Sequence, residues 1–509
     1  MLATACTRTK NNHKLLSLLM FLSLTFPSHP TSANNTVGAW SAVIDWPLVG
    51  IHATLLPDGR IMSYGANMEG VWNSEMIFDI WDPKSGFGAD SHLTLPNQTA
   101  VDSFCSALIL IPGGGEALTV GGNTPRAVNA FNFQDNDLRS TSPISQARWY
   151  GTATTLSDGN LLIQGGLGDG ATIPEVYTPG GGSRLLTDAG SYELYDGGIW
   201  ETYNENRWWY PRSWLAPDGR AFGITGSRMY FIDPAGSGTL LEVGTYDRSN
   251  LGATSTAVMF RPGQILQVGG GWFSSGIAIG SRIAPVGSRA ATVIDINGGT
   301  PVLTDSNDMR YPRHWADATV LPDGQVLVNG GSRVVNELQG VAHAAELWNP
   351  ETGEWTILAS SQEARLYHST SLLLADGSVL VQGGGAPGPV VNANAEIYYP
   401  AYLFNDAGSF ASRPIIENNP SILDYGETFT LEVDDTLAID RVTLIRTGGV
   451  THSFNTDQRF MELSFTADTA GLTMTLPNDA NRLPPGYYLL FVINDQGVPS
   501  EARIVRIDP

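Results

Sequence analysis

One motif returns seven times in this chain and leaves few folds open to it: an apolar run, a tight turn, a second apolar run, then glycines. The copies read "ATLLPDGRIMSYG", "ALILIPGGGEALTVGG", "ATTLSDGNLLIQGG", "SWLAPDGRAFGITG", "STAVMFRPGQILQVGG", "DATVLPDGQVLVNGG" and "STSLLLADGSVLVQGGG". Their first turn residues are Asp58, Gly113, Asp158, Asp218, Pro262, Asp323 and Asp376. Asp-Gly between apolar runs signals a β-hairpin, here expected to close through a two-residue turn. Successive turns lie 44 to 61 residues apart, which leaves room for two more strands per unit. Segments such as "SEMIFDIWDP" and "AAELWNPETGEW" suit those outer strands. Seven units of this kind predict an all-β chain built as a seven-bladed β-propeller. The strand around "GAWSAVIDW" is expected to complete the last blade.

The blade spacing and glycine pairs resemble kelch repeats. The propeller is expected over residues 34–412. Beyond it the glycine pairs stop, and alternating runs such as "SILDYGETFTLEV" and "GYYLLFVINDQGVPSEARIVRI" predict an immunoglobulin-like β-sandwich over 413–509. At the other end, Arg8, Lys10 and Lys14 precede "LLSLLMFLSLTF" and a small-residue site ending at Ala33. Residues 1–33 therefore read as a secretory signal peptide; an uncleaved anchor would need a longer apolar run. The protein is expected to be secreted, extracellular or periplasmic, or held at a cell surface, as a monomer with no stable membrane span. Its net charge of -22 argues against nucleic acid and anionic membrane as partners. "NNT" at Asn34 and "NQT" at Asn97 are glycosylation sequons. Of the two cysteines, Cys6 leaves with the signal peptide and Cys105 remains alone.

Near-equal first arms allow the blades to be registered. Counting back eight from each turn gives Gly50, Cys105, Tyr150, Tyr210, Thr254, Trp315 and His368. Counting back nine gives Val49, Phe104, Trp149, Trp209, Ala253, His314 and Tyr367. These positions are expected to open onto one end of the ring. Imidazole suits copper, zinc or iron. A phenol must be helped to ionise, which a bound cation does, and it can also lose one electron. A Tyr/His set therefore favours a redox metal over structural zinc. Taken singly, each residue also reads as ordinary packing.

Four segments carry a more specific signal: "SFCSALIL" with Cys105, "ARWYGTATTLSDG" with Tyr150, "ARLYHSTSLLLADG" with Tyr367 and His368, and "THSFNTDQR" with His452. In order and spacing the sequence resembles the galactose oxidase and glyoxal oxidase family of copper radical oxidases. The resemblance implies one copper ion held by Tyr150, Tyr367, His368 and His452. It implies a thioether between Cys105 and Tyr150 as a protein-derived radical cofactor, and Tyr367 as the catalytic base. It implies oxidation of a small primary alcohol, aldehyde or carbohydrate by dioxygen, with hydrogen peroxide as co-product. Where galactose oxidases carry a shielding tryptophan, this chain reads "GGLGDG", with Leu167 and Gly168. Phe104, Trp149, Arg207, Trp209, Tyr210, His314 and Trp315 are the residues expected to shield the radical or meet substrate. The alternative is a kelch-type propeller that binds glycan or protein without chemistry.

Overall fold

The computed structural model describes residues 34–72, 77–195, 206–272 and 286–509. The signal-peptide segment and Cys6 lie outside them. The described chain is essentially all-β. Seven antiparallel sheets follow one another, and two more belong to the C-terminal unit. The first arms of the seven hairpins are the strands Val49–Leu55, Ala107–Leu110, Trp149–Thr155, Arg212–Leu215, Ser255–Arg261, His314–Val320 and Ser369–Leu373. Each ends the strand order of its own fold unit except Val49–Leu55, which a C-terminal hairpin joins from its other side. The early strands Ala39–Trp40 and Ile44–Asp45 both pair with Asn394–Tyr399 of the seventh sheet, as the sequence led us to expect.

The turns repeat one piece of chemistry. Asp58, Asp158, Asp218, Asp323 and Asp376 each accept, through Oδ1, the backbone N–H two residues on, at 2.9–3.1 Å. The following glycine has a left-handed φ in all five turns, from 80° at Gly377 to 89° at Gly59. The loop itself is one residue longer than the expected two. Leu56 N–H donates to the Arg60 carbonyl at 2.8 Å and Gly59 N–H to the Leu56 carbonyl at 3.0 Å, enclosing Pro57, Asp58 and Gly59. A three-residue loop ending in a left-handed glycine lets the aspartate cap the turn without splaying the arms.

The glycine pairs let neighbouring sheets meet backbone to backbone. Gly122, Gly166, Gly270 and Gly331 donate their N–H to the carbonyls of Arg148, Trp208, Arg313 and Arg365 in the next sheet, at 2.6–2.9 Å. A Cβ on Gly331 would lie 2.6 Å from the His314 carbonyl, so a side chain is excluded there. Three buried arginines, each near the start of a first arm, tie sheets three, six and seven internally. Arg148 pairs with Glu175, Arg313 with Glu346 and Arg365 with Glu396, all with essentially no exposure. Further guanidinium N–H groups donate to strand carbonyls such as those of Gly165, Gly330 and Gly383. Buried charges persist only when paired and hydrogen-bonded in this way.

In the C-terminal unit, Thr428–Val433 alternates exposed and buried residues, and Phe429, Leu431 and Val433 point inward. They meet Val442, Leu444, Leu472, Leu490 and Val505 in one apolar core. One hairpin leaves this unit. Its strands Gly449–Thr451 and Phe454–Thr456 extend the first sheet, with Thr451 opposite His52. The following residues anchor it to other sheets. Asp457 accepts from Thr155 in sheet three and from the buried Arg446. Gln458 accepts from Val320 N–H in sheet six at 3.0 Å, and Arg459 donates to the Leu215 carbonyl of sheet four at 3.2 Å. The hairpin tip is thereby fixed from several sides.

Candidate functional site

The positions eight residues ahead of the turns share an unusual backbone. Cys105, Tyr150, Tyr210, Trp315 and His368 have φ of 61°, 67°, 37°, 60° and 147°. Non-glycine residues rarely adopt such values, and they concentrate where function needs a re-aimed side chain. Each lies within two residues of the start of its strand. Successive sheets are tied through these residues: Tyr150 N–H donates to the Cys105 carbonyl at 3.0 Å, and Tyr210 N–H to the Tyr150 carbonyl at 2.9 Å. The same break solves a problem of alternation. Regular pairing in the seventh sheet begins at Ser369, so Tyr367 and His368 escape the rule that neighbours point apart. Their rings stack with centroids 3.7 Å apart.

The cluster these residues form is buried. The hydroxyls of Tyr150 and Tyr367 share a hydrogen bond of 2.6 Å. His368 Nε2 and His452 Nε2 lie 2.8 Å apart. His452 occupies the tip of the C-terminal hairpin, where it and Ser453 both have positive φ, 47° and 61°, as a two-residue type I′ turn requires. The Cys105 sulfur lies 3.9 Å from His452 Nε2, and Cys105 shares one buried apolar cluster with Tyr150. Cys105 is buried and forms no disulfide.

Burial sets the protonation states. It holds His368 down to about 3 and His452 well below the ordinary imidazole value, so both rings are neutral. It pushes the phenols of Tyr150 and Tyr367 and the thiol of Cys105 up. His368 Nδ1 donates to the Gly385 carbonyl at 2.8 Å, which leaves Nε2 as a bare lone pair facing the other imidazole. His452 Nδ1 lies 2.5 Å from the Thr451 hydroxyl, and the Tyr210 hydroxyl donates to the Ser106 carbonyl at 2.9 Å. Two imidazole nitrogens and two phenols converging in one buried cluster suit a cation that accepts nitrogen and phenolate oxygen. Among the described residues no group of three or more His, Cys, Asp or Glu side chains forms a metal site, so any metal here depends on the tyrosines.

Several of the expected surrounding residues adjoin Tyr150. Trp149 meets its ring edge-on at 4.2 Å, Trp209 tilts against it at 4.4 Å, and Tyr210 lies at 5.1 Å. Trp149 also pairs across the hairpin with Leu167, the position that lacks the galactose-oxidase tryptophan. Trp315 packs on Tyr367 at 4.7 Å. Phe104 turns toward His368, at 6.0 Å. His314 is bonded through Nδ1 to the Thr254 hydroxyl at 2.8 Å and packs against the fifth sheet's glycines. Arg207 is half-buried, and its carbonyl accepts from Thr225.

The two-column count missed neighbours. Trp208, one residue further back, stands 5.6 Å from Tyr150; the run "WWY" was its only signal. His52 stacks on Tyr64 at 4.4 Å, nearly coplanar, and lies 5.6 Å from His452. Thr451 precedes a proposed ligand in sequence, and nothing in the residue pattern marks it.

Comparisons with known proteins bear on the family and the fold. Residues 87–404 match the family model described as glyoxal oxidase N-terminus. Residues 413–507 match that of the galactose oxidase-like, Early set domain. A galactose oxidase of Gibberella zeae is 28% identical over 94% of this chain and 72% of its own length. An aldehyde oxidase of Vitis pseudoreticulata is 28% identical over 81% of this chain and 83% of its own. A solved fungal alcohol oxidase in complex with copper superimposes with a TM-score of 0.83 at 24% identity, over 93% of this chain and 100% of that one. That last likeness concerns the fold.

Proposed function

The chain belongs to the galactose oxidase/glyoxal oxidase family of copper radical oxidases, and from that premise we propose that it oxidises primary alcohols or aldehydes with dioxygen and releases hydrogen peroxide. The seven sheets act as the blades of a propeller over 34–412, and the sandwich over 413–509 contributes His452. The observation that carries the reading is the meeting of Cys105, Tyr150, Tyr367, His368 and His452 in one buried cluster. Tyr150, Tyr367, His368 and His452 hold the copper. When bound, copper supplies one-electron redox chemistry and the positive charge that lets buried phenols ionise.

The chain's own residues do the rest. Forming the carbon–sulfur bond would remove the Cys105 thiol hydrogen and one ring hydrogen of Tyr150, with dioxygen as the two-electron oxidant that takes both hydrogens as hydrogen peroxide, and the sulfur would make that ring easier to oxidise. The Tyr367 oxygen, beside that of Tyr150, takes the substrate hydroxyl proton. Trp149, Trp208 and Trp209 keep water from the oxidised ring, in place of the tryptophan absent at Leu167. The basic-then-apolar segment ahead of residue 34 supports export. No helix among the described residues is long and apolar enough to cross a membrane.

Peptide mass analysis after loading the apoprotein with copper and oxygen tests the reading. Peptides carrying Cys105 and Tyr150 should be joined and lighter by two hydrogens. Unmodified peptides at full copper occupancy would return the chain to a non-catalytic propeller. Tyr367→Phe should keep most of its copper and lose most turnover; full turnover would remove its role as base.

A further inference from the structure

A cleft of about 880 Å³ opens between the C-terminal unit and the turns of sheets five and six. Arg261, Asp323 and Glu351 line it from the sheets, and Asp440, Arg441 and Glu462 from the C-terminal unit. Asp323 opens the turn that follows the strand His314–Val320, whose other end carries Trp315. The cleft and the candidate site therefore lie at opposite ends of sheet six, and the chemistry at Tyr150 and Tyr367 does not use the cleft. Its two walls are fixed to each other. Arg441 donates to the Asp323 carbonyl at 2.9 Å, and the Thr443 hydroxyl donates to the Pro322 carbonyl at 3.0 Å. Ligand sites favour such junctions and have volumes of roughly 300–1,000 Å³.

The lining narrows the ligand. Each of its three guanidiniums already has a carboxylate: Arg261 pairs with Glu351, Arg441 with Glu462 at 2.5 Å, and Arg482 with Asp479 at 3.3 Å. Asp440 and Asp495 stand exposed beside these pairs. Five lining carboxylates against three guanidiniums, on a chain of net charge -22, disfavour a phosphate, sulfate or uronate. Among the described residues no group of three or more His, Cys, Asp or Glu could hold a metal ion. What the paired charges keep is hydrogen-bonding edges. A carboxylate accepts from two hydroxyls side by side, and a guanidinium offers parallel donors. Beneath them the floor is apolar, with Phe460 and Met461 buried and Pro262, Pro350 and Pro477 half-buried. Planar polar edges over flat apolar surface suit a ring that has hydroxyls around its rim and C–H groups on its faces.

We propose that this cleft binds a neutral oligosaccharide, with sugar faces on the proline floor and hydroxyls on Glu351, Glu462 and Asp495. The inference goes beyond the oxidase reading and does not depend on it. A polysaccharide held here grips the chain at its turn end and leaves the candidate site, at the other end of sheet six, free of it.

Titration calorimetry and saturation-transfer NMR on the copper-loaded full chain test this with cellohexaose, xylohexaose and mannohexaose as probes. At least one should bind, and hexagalacturonate should not displace it. Replacing Glu351 and Asp495 together by alanine should weaken that binding at least about tenfold, because hydrogen bonds to charged groups are the strong ones. Each single substitution should lose part of it. The unfolding midpoint should hardly move, since the Glu351 side chain is 71% exposed and Asp495 is exposed too. Glu242→Ala, which removes an exposed carboxylate from sheet four, should leave affinity unchanged. Absence of binding by all three sugars overturns the proposal, and so does equal binding by the double variant, which would place the sugar elsewhere on the chain. Preference for hexagalacturonate overturns the argument from charge. Binding of a lysine-rich peptide with no binding of the sugars would assign the cleft to a cationic protein and overturn the proposal as well. None of these outcomes depends on turnover, so the oxidase reading stands or falls separately.

Discussion

Thr451→Val isolates how the C-terminal hairpin presents His452. The substitution keeps the shape of the side chain and the pairing of residue 451 with His52, and removes only the hydroxyl. That hydroxyl is 2.5 Å from His452 Nδ1. It fixes the ring's rotation and leaves Nε2 directed at His368. Losing a partner that orients a metal-binding histidine costs about 10- to 100-fold in metal affinity, or about 1.4 to 2.8 kcal/mol. The cost to folding should be smaller, about 1 kcal/mol, because one hydrogen bond is lost and a valine methyl fills its place. Competition for copper against a chelator of known affinity measures the first, and urea unfolding of the apoprotein measures the second. A weakened copper site with a nearly unchanged unfolding midpoint is expected. Equal copper affinity in wild type and variant would refute the role of Thr451. A drop in stability of several kcal/mol would show that the hydroxyl serves the fold instead.

Asp457→Asn should loosen the anchor of the same hairpin, since it leaves the buried Arg446 without its carboxylate. We expect a loss of about 3 kcal/mol or more by chemical denaturation and weaker copper binding, with both His368 and His452 intact. Glu346→Gln strands the buried Arg313 in the sixth sheet and should also cost about 3 kcal/mol, yet leave copper affinity of the folded protein within experimental error. Asp317→Asn tests a buried acid. Burial holds Asp317 up to about 8 from an ordinary value of 3.8, with the Ser369 hydroxyl donating to it at 2.9 Å and Arg212 opposing the shift. The folded state therefore binds the extra proton between those two values, and its stability should fall as pH rises through that window. The asparagine variant should flatten that slope in apoprotein melting curves, and an unaltered slope would assign it elsewhere.

Much of the architecture was legible because it is local. A hairpin with its own tight turn, capped by an aspartate in five cases, is encoded within a few residues, and its seven copies give the count of the sheets ahead of the C-terminal unit. Register was legible too. The heads of the first arms keep one spacing from their turns, so counting back eight reached Cys105, Tyr150, Tyr210, Trp315 and His368 before any of them had a partner. The three-residue loop was not legible, because Asp-Gly serves two loop lengths and the flanking pairs decide between them. The arginine–glutamate pairs were visible only in hindsight. Arg148 and Glu175 are separated by a hairpin and a third strand, and neither looks unusual until both are buried.

The sequence by itself determined the repeat, the apolar alternation and the residue types at the head of each first arm, since all three follow from chemistry within a single hairpin. Only the tertiary structure decided what those types do together. Left-handed backbone at Tyr150 and Tyr210 is unfavourable in isolation and is held by hydrogen bonds between neighbouring sheets. His452 comes from a separate unit and reaches His368 because Asp457, Gln458 and Arg459 lock its hairpin between the sheets. The burial that keeps both imidazoles neutral and both phenols protonated belongs to the assembled core and to no segment of the chain.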